Sequence, residues 1–302
     1  MTNSQVDRRV HFDQGDRCWR GQFIAMAGPC EILCETDDPD EARSLAKVAA
    51  QEAWRIEDKF SRYVDTNTIH RINHAGGAPV TVDAETAQLI DFAQTIYEMS
   101  EGRFDITSGV LGQVWCFDGS DNLPSSEHVA EVLAKVGWHR ATWKAPVLQL
   151  PPGMQIDFGG IGKEYAVDCA ASLLRERTDH SCLVNFGGDL AVTAAPRNFE
   201  HWVVGIEAIG AGRGIPSKLL QLRVGALATS GDARRFLQKN GIRYSHILDP
   251  QSGWPVADAP HAVTVAADTC TQAGMLSTLA MLQGREAEAY LGMQEVQYWC
   301  SR

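Results

Sequence analysis

The order of strand-like and helix-like segments limits the fold of this 302-residue chain more than any other feature of its sequence. Stretches with helical spacing are interspersed with short apolar or glycine-rich stretches, and the regular strand–helix–strand repeat of a parallel sheet is missing. Irregular interspersion of this kind favours the α+β class. We therefore expect an α+β protein with a polar arm over residues 1–20 and a single domain over residues 21–302.

Three stretches carry the spacing and the end signals of amphipathic helices. In residues 38–60, alanine, leucine and isoleucine recur on one face behind an acidic first turn. A second helix is predicted to begin after an N-cap at Asp83 and to stop at Gly102. A third repeats this arrangement between Ser126 and Gly137.

Two other stretches are informative about packing. "GQFIAMAGPCEILCET" (residues 21–36) predicts two short strands around a Gly-Pro turn. "QAGMLSTLAM" (residues 272–281) repeats apolar residues at helical intervals, a pattern more typical of a buried helix than of a catalytic wall.

Charge and hydropathy exclude several classes of partner. A net charge of −11 and a pI near 5.3 argue against a nucleic-acid backbone or an anionic membrane as the main partner. The first residues lack the apolar core of a signal peptide, and no apolar run approaches the length of a membrane span. The expectation is a cytoplasmic protein without a membrane anchor.

The stretch "IDFGGIGKEYAVD" (residues 156–168) is the first that indicates chemistry. Its glycines allow a ligand to approach the backbone, and the helix that follows offers unpaired N–H groups. Lys163 stands at the predicted helix start, where it suits a phosphate. The alternative is a tight strand-to-helix turn with a surface lysine, because neither the P-loop nor the dinucleotide glycine pattern is present.

Four further motifs each allow a functional and a structural interpretation. The glycine pair of "NFGGDL" (residues 185–190) would frame a flat ring or form a hairpin. "ATSGDARRF" (residues 228–236) would bind an anion or cap a short helix. His246, in "YSHILDPQSGWPV", would be a catalyst or a structural histidine, and Asp105 lies in a Phe-Asp-Ile-Thr run.

Together, the order and spacing of these motifs resemble the ApbE family, the FAD:protein FMN transferases, from about residue 20 onward. The matching positions are 26, 61–63, 104–107 with 115, 159–164, 185–189, 229–232, 246–255 and 273–278. The resemblance implies a T-fold-like α+β architecture with mixed or antiparallel sheets packed with helices. It also implies that FMN is moved from FAD to a threonine hydroxyl of a target flavoprotein, with Mg²⁺ present and AMP released.

The resemblance assigns roles to individual residues as well. Lys163 and His246 would be catalytic, and the metal would be held by the carbonyl of Gly162 and by Thr278. The implied FAD-binding residues are Met26, Ser61, Arg62, Tyr63, Asp105, Lys163, Tyr165, Gly187, Gly188, Asp189, Ser230, Gly231 and His246.

One departure from the family motif affects the metal. The family's Ala-Asp-Ala-x-x-Thr stands here as "AGMLST", so the metal-binding aspartate is replaced by Gly274. The family's Lys-Gly is Lys163-Glu164, and we hypothesise that Glu164 supplies the missing charge, directly or through water. The alternative is that Glu164 faces solvent in the first helical turn, and Asp268 is a weaker candidate.

This departure leaves a second function open. A protein that keeps the phosphate-side residues but loses the metal carboxylate would be a non-catalytic FAD-binding or carrier protein, or an FAD pyrophosphatase.

Overall fold

The structure is a computed structural model that describes residues 8–207, 215–232 and 235–302. It contains helices and antiparallel sheets, which confirms the α+β prediction. The helices are α1 (Pro39–Phe60), α2 (Thr68–Asn73), α3 (Ala84–Met99), α4 (Ser126–Leu133), α5 (Gly162–Arg175), α6 (Cys270–Leu282) and α7 (Ala287–Gly292). The strands are β1 (His11–Gln14), β2 (Trp19–Ala25), β3 (Gly28–Cys34), β4 (Val80–Thr81), β5 (Thr142–Lys144), β6 (Val147–Gln149), β7 (Cys182–Phe186), β8 (Asp189–Val192), β9 (Trp202–Glu207), β10 (Pro216–Leu222), β11 (Gly225–Gly231), β12 (Phe236–Lys239), β13 (Ile242–Ser245), β14 (Ala262–Ala267) and β15 (Gln297–Ser301).

The described chain divides into two compact units. Unit 1 comprises the described residues of 1–57, 162–229 and 265–274, and unit 2 those of 58–161, 230–264 and 275–302. Helices α1 and α6 and strands β11 and β14 contain residues of both units. The boundary between an arm and a single domain at residue 21 stays a prediction.

Unit 1 is built on an antiparallel sheet whose strands follow the order β1-β2-β3-β7-β8-β11. Strand β3 buries every second residue, as expected for a strand with one face against a core. Strand β8 is buried throughout, and helix α5 packs on β7 and β8. The packed face of α5 is mostly apolar, and it places the first residues of this helix beside the start of β8.

The hairpin between β2 and β3 turns at a different place from the predicted one. Ala25 pairs with Gly28, so the turn consists of Met26 and Ala27, with φ angles of 53° and 59°, and Pro29 already belongs to β3. Two-residue hairpin loops favour left-handed backbone at both positions, which is costly for residues with a Cβ. The backbone N–H of Met26 donates to Oε1 of Glu57 at 2.7 Å, which helps to hold this turn.

Unit 2 has its own hydrophobic core. Six residues form its buried centre: Val110, Leu111, Trp115, Val129, Val132 and Leu237. The indole N–H of Trp115 donates to the carbonyl of Gly253 at 2.9 Å, so the burial of this large ring leaves no polar atom unsatisfied.

The predicted N-cap is correct at α3 and shifted by one residue at α4, and both helices end before their predicted stops at Gly102 and Gly137, at Met99 and Leu133. Asp83 is the N-cap of α3 and accepts hydrogen bonds from the N–H groups of Glu85 and Thr86, as predicted. The N-cap of α4 is Ser125, not Ser126, because the Ser125 hydroxyl accepts the N–H of His128. Two adjacent serines give the same capping signal, so the sequence alone does not fix this position.

The C-terminal stretch 272–281 forms part of helix α6, as predicted. Four of its five predicted apolar residues, Leu276, Leu279, Ala280 and Met281, are buried and form packing surface, whereas Met275 is partly exposed. Among the described residues, no helix has both the length and the apolar character that a membrane crossing requires.

Candidate functional site

Lys163 is held by a buried carboxylate in unit 1. Helix α5 begins at Gly162, so Lys163 lies in its first turn, and its Nζ is 2.5 Å from Oδ2 of Asp189. Asp189 is 1% exposed, and its Oδ1 accepts the backbone N–H of Thr229 at 2.9 Å. The lysine side chain is 33% exposed. The structure therefore does not support the alternative of an unattached surface lysine.

The charge of Lys163 is secured by its neighbours. Burial alone would lower the pKa of this lysine, but the nearby carboxylates of Asp189 and Glu164 raise the pKa above its ordinary value. The group is therefore a cation at neutral pH. An ammonium next to a glycine-rich turn and a helix N-terminus is suited to binding phosphate oxygens.

Glu164 is buried, and the solvent-facing alternative for it is wrong. Glu164 is 8% exposed, and its Oε2 has no hydrogen-bond partner among the described residues. Burial and then the negative charge of Asp189 raise the pKa of Glu164 to about 8, although Lys163 opposes this. A buried carboxyl oxygen without a partner is energetically costly, so a water or a cation bound at this position would stabilise it.

Gly274 in helix α6 lies directly against Glu164. A Cβ added at Gly274 would be 2.4 Å from Cγ and 3.0 Å from Cδ of Glu164. Real Cβ atoms do not approach other carbons this closely, so the glutamate side chain fills the space in which a side chain at position 274 would begin. The other acidic candidate, Asp268, is exposed.

Asp168 anchors the start of α6, and sequence analysis missed this role. Its carboxylate accepts the N–H of Cys270 at 2.8 Å, the N–H of Thr271 at 2.8 Å and the Thr271 hydroxyl at 2.6 Å. Asp168 lies four residues after Glu164, so both acids share one face of α5. In the sequence, two acids four residues apart on an otherwise apolar helix face were the signal for this role.

The glycine pair Gly187–Gly188 forms the hairpin between β7 and β8, with φ angles of 65° and 105°. The N–H of Gly188 donates to Oδ1 of Asn185 at 2.9 Å, and this hydrogen bond stabilises the turn. A Cβ at Gly187 would lie 4.0 Å from Cδ of Lys163, which places this turn beside the lysine. The hairpin interpretation is confirmed, and contact with a flavin ring stays a prediction.

In unit 2, Ser230 and Thr278 are brought together. The hydroxyl of Ser230 is 2.8 Å from that of Ser277 and 3.0 Å from that of Thr278. Ser230 and Gly231 end strand β11, and β12 is the next described element, so the predicted helix cap is wrong for the described residues. Hydroxyl oxygens such as those of Ser230 and Thr278 belong to the oxygen ligand class that Mg²⁺ accepts.

Asp105 has a structural role in unit 2. It is 6% exposed, and its carboxylate accepts hydrogen bonds from the N–H and hydroxyl of Thr107 and from the N–H of Trp138. Asp105 is also the N-cap of the 3-10 helix Ile106–Gln113. Its contact with FAD stays a prediction.

The predicted residues at 61–63 form a partly exposed turn after α1. The guanidinium of Arg62 donates to the carbonyl of Gly109 and lies 3.1 Å from Oδ2 of Asp157. The same group stands 5.7 Å from the ring centre of Tyr63, which is 81% exposed, and the hydroxyl of Ser61 accepts the N–H of Tyr63. An exposed aromatic ring is available to stack on a flat ligand.

His246 is partly exposed in unit 2. Its Nδ1 lies 3.1 Å from the carbonyl oxygen of Arg235, and a protonated Nδ1 would donate to that oxygen. The ring of Phe117 packs against it edge-on, with the ring centres 6.2 Å apart. Of the remaining predicted residues, Tyr165 is half-buried in α5.

The donor set suits a magnesium ion better than a transition metal. Among the described residues, no group of three or more His, Cys, Asp and Glu side chains is arranged to hold a metal. Mg²⁺ does not need such a cage, because it is bound by one or two carboxylates together with water and substrate phosphates. The unpartnered Oε2 of Glu164 fits one such position.

Comparison with known proteins decides the family. The sequence profile of the ApbE family matches residues 26–299. The chain belongs to the ApbE family.

Several relatives of this ApbE family member have informative names. A protein of Treponema pallidum named FAD:protein FMN transferase is 30% identical over 248 residues, covering 75% of this chain and 68% of that protein. One of Klebsiella pneumoniae with the same name is 28% identical over 280 residues, covering 90% and 84%. The crystal structure of the ApbE protein from Thermotoga maritima is similar with a TM-score of 0.83 and 27% identity, covering 97% and 94%.

Proposed function

We propose that this ApbE family protein transfers the FMN part of FAD to a threonine hydroxyl of a target flavoprotein, with Mg²⁺ bound and AMP released. The relatives named FAD:protein FMN transferase support this activity. The observation that carries the proposal is the ion pair of Lys163 with the buried Asp189, beside the glycine hairpin and at the start of α5. It holds one positive charge where a diphosphate would meet backbone N–H groups.

In the proposed reaction, the threonine oxygen forms a bond to the phosphorus of the FMN half. The bond between that phosphorus and the bridging oxygen of the diphosphate breaks, and the bridging oxygen leaves with AMP. The hydroxyl proton passes to a base, for which we propose the imidazole of His246.

Lys163 would neutralise the negative charge that develops on the departing phosphate oxygens. Because Asp189 fixes the ammonium in advance, little reorganisation is needed during the transfer. Bound Mg²⁺ would supply further charge neutralisation to the diphosphate. Its proposed ligands include the Gly162 carbonyl and Thr278, as the family resemblance implies.

The test is an incubation of the purified protein with FAD, MgCl₂ and a panel of threonine-containing peptides, followed by mass spectrometry. Transfer predicts a peptide heavier by FMN minus one water, together with AMP. Peptides with serine or valine in place of threonine serve as controls. Free FMN and AMP without a modified peptide would indicate a pyrophosphatase, and unchanged FAD bound to the protein would indicate a carrier.

A further inference from the structure

We infer that Glu164 is the carboxylate ligand of the divalent cation in this protein, and that Gly274 is a glycine because it makes room for it. This inference rests on the proposed function, since it names a ligand of the cation that the flavin transfer requires. It concerns two positions of unit 1, the first turn of α5 and the second turn of α6.

The first support is steric. The side chain of Glu164 passes so close to Gly274 that a Cβ there would be 2.4 Å from its Cγ. Cγ is near the root of the side chain, so the glutamate cannot avoid this Cβ by moving only its end. With Glu164 in this conformation, any side chain at position 274 would force the glutamate or helix α6 to shift.

The second support is the surroundings of the carboxylate. Glu164 is buried, and its Oε2 has no hydrogen-bond partner among the described residues. The charged groups that face it are Asp189 from β8 and Lys163 from its own helix. A cation bound beside Oε2 would give this buried oxygen the partner that it lacks among the described residues.

The third support is the comparison of the two positions with the motif. The motifs of the family that this sequence resembles have a glycine after the lysine and an aspartate in the later helix. This chain has Glu164 after Lys163 and Gly274 in α6. The exchange keeps one carboxylate and one glycine at a shared point in space, and it moves the carboxylate from one helix to the other.

The experiment compares the wild type with E164Q, E164G/G274A and E164G/G274D. The two double variants are matched, because both make room at position 274 and they differ only in the carboxylate. Mn²⁺ serves as the probe, and its free concentration is followed by electron paramagnetic resonance with and without FAD. Flavin fluorescence measures FAD binding without metal, and circular dichroism measures folding.

We expect E164Q and E164G/G274A to bind Mn²⁺ at least about tenfold more weakly than the wild type, both without FAD and in the presence of saturating FAD. E164G/G274D should recover most of this loss. The inference is overturned if E164Q binds Mn²⁺ like the wild type, if the matched double variants are equal, or if the wild type binds no Mn²⁺ in either series. Wild type that binds Mn²⁺ but no FAD would instead contradict the proposed function alone.

Discussion

The Nζ of Lys163 lies 2.5 Å from Oδ2 of Asp189, and this aspartate is 1% exposed at the first position of a buried strand. The other oxygen of Asp189 accepts the N–H of Thr229. The carboxylate is therefore fixed from two sides before any ligand binds, and it fixes the lysine in turn. This relationship makes Lys163 a pre-positioned charge, which is the property that phosphoryl transfer requires.

Removal of the Asp189 charge should affect both stability and activity. D189N keeps an oxygen for the N–H of Thr229 but removes the ion pair with Lys163. We expect the free energy of unfolding to fall by about 1–3 kcal/mol. The loss is smaller than for a fully buried ion pair because Lys163 is partly exposed. Urea unfolding measures this change, and AMP release from FAD should fall with it. K163M and the double variant K163M/D189N complete a double-mutant cycle. Additive losses in that cycle would contradict the coupling.

A side chain at position 274 should destabilise the protein unless Glu164 is shortened. G274A should lower the free energy of unfolding by about 1–3 kcal/mol, because its Cβ overlaps Cγ of Glu164. In the background of E164G the same substitution should cost much less, or stabilise α6 through its better helix propensity. Thermal unfolding of the wild type, G274A, E164G and E164G/G274A tests this prediction. An equal cost in both backgrounds would show that the two side chains do not compete.

The anchor of α6 gives a prediction that does not involve the ligand. Asp168 accepts two backbone N–H groups at the start of this helix. D168A should therefore lower the free energy of unfolding by about 1–2 kcal/mol, as expected for the loss of a helix cap. T271V removes only the hydroxyl partner and should cost less. Amide hydrogen exchange localises the effect, and unchanged protection of α6 in D168A would refute the anchoring role.

The pH dependence of stability should reveal the charge of Asp83. Burial tends to raise the pKa of Asp83, but hydrogen bonds from Lys59 and Thr86 outweigh it and lower the pKa from 3.8 to about 2. The folded pKa is below the unfolded one, so the charge stabilises the fold above pH 4, and this stabilisation is lost as the pH falls towards 2. The side chain is 47% exposed, which limits the effect to about 1 kcal/mol or less.

The variant D83N isolates this charge, because asparagine is also a good N-cap. Wild type should be the more stable protein at pH 6, and the difference should disappear near pH 2. Denaturant unfolding at a series of pH values measures it. A difference that stays constant over this range would mean that the charge is not responsible.

The sequence predicts the fold class and most of the motif positions because local signals agree with the tertiary structure. Asp83 caps α3 as its position before an acidic first turn indicates. The turn at Met26 and Ala27 was not predictable, because neither residue favours a left-handed backbone, and it is held in part by a contact with Glu57, 31 residues away.

In the candidate site, too, some features could be predicted from the sequence and others depend on tertiary packing. The positions of Lys163 and of the glycine pairs in the site could be predicted from their spacing in the sequence. The ion-pair partner of Lys163 could not, because it depends on the packing of helix α5 against β8. An acid in the first turn of a helix normally faces solvent. The burial of Glu164 could not be predicted from the sequence, because it results from the packing of α6 against this residue. The missing aspartate at position 274 gave the only hint of that packing.

The most direct test of the central claim is the ratio of AMP released to FMN bound covalently to an acceptor peptide, measured by mass spectrometry with FAD and MgCl₂. Our account predicts equal amounts of the two products from the wild type, and neither product above background from K163M. Release of AMP with free FMN and an unmodified peptide, or equal product from K163M and the wild type, would contradict it.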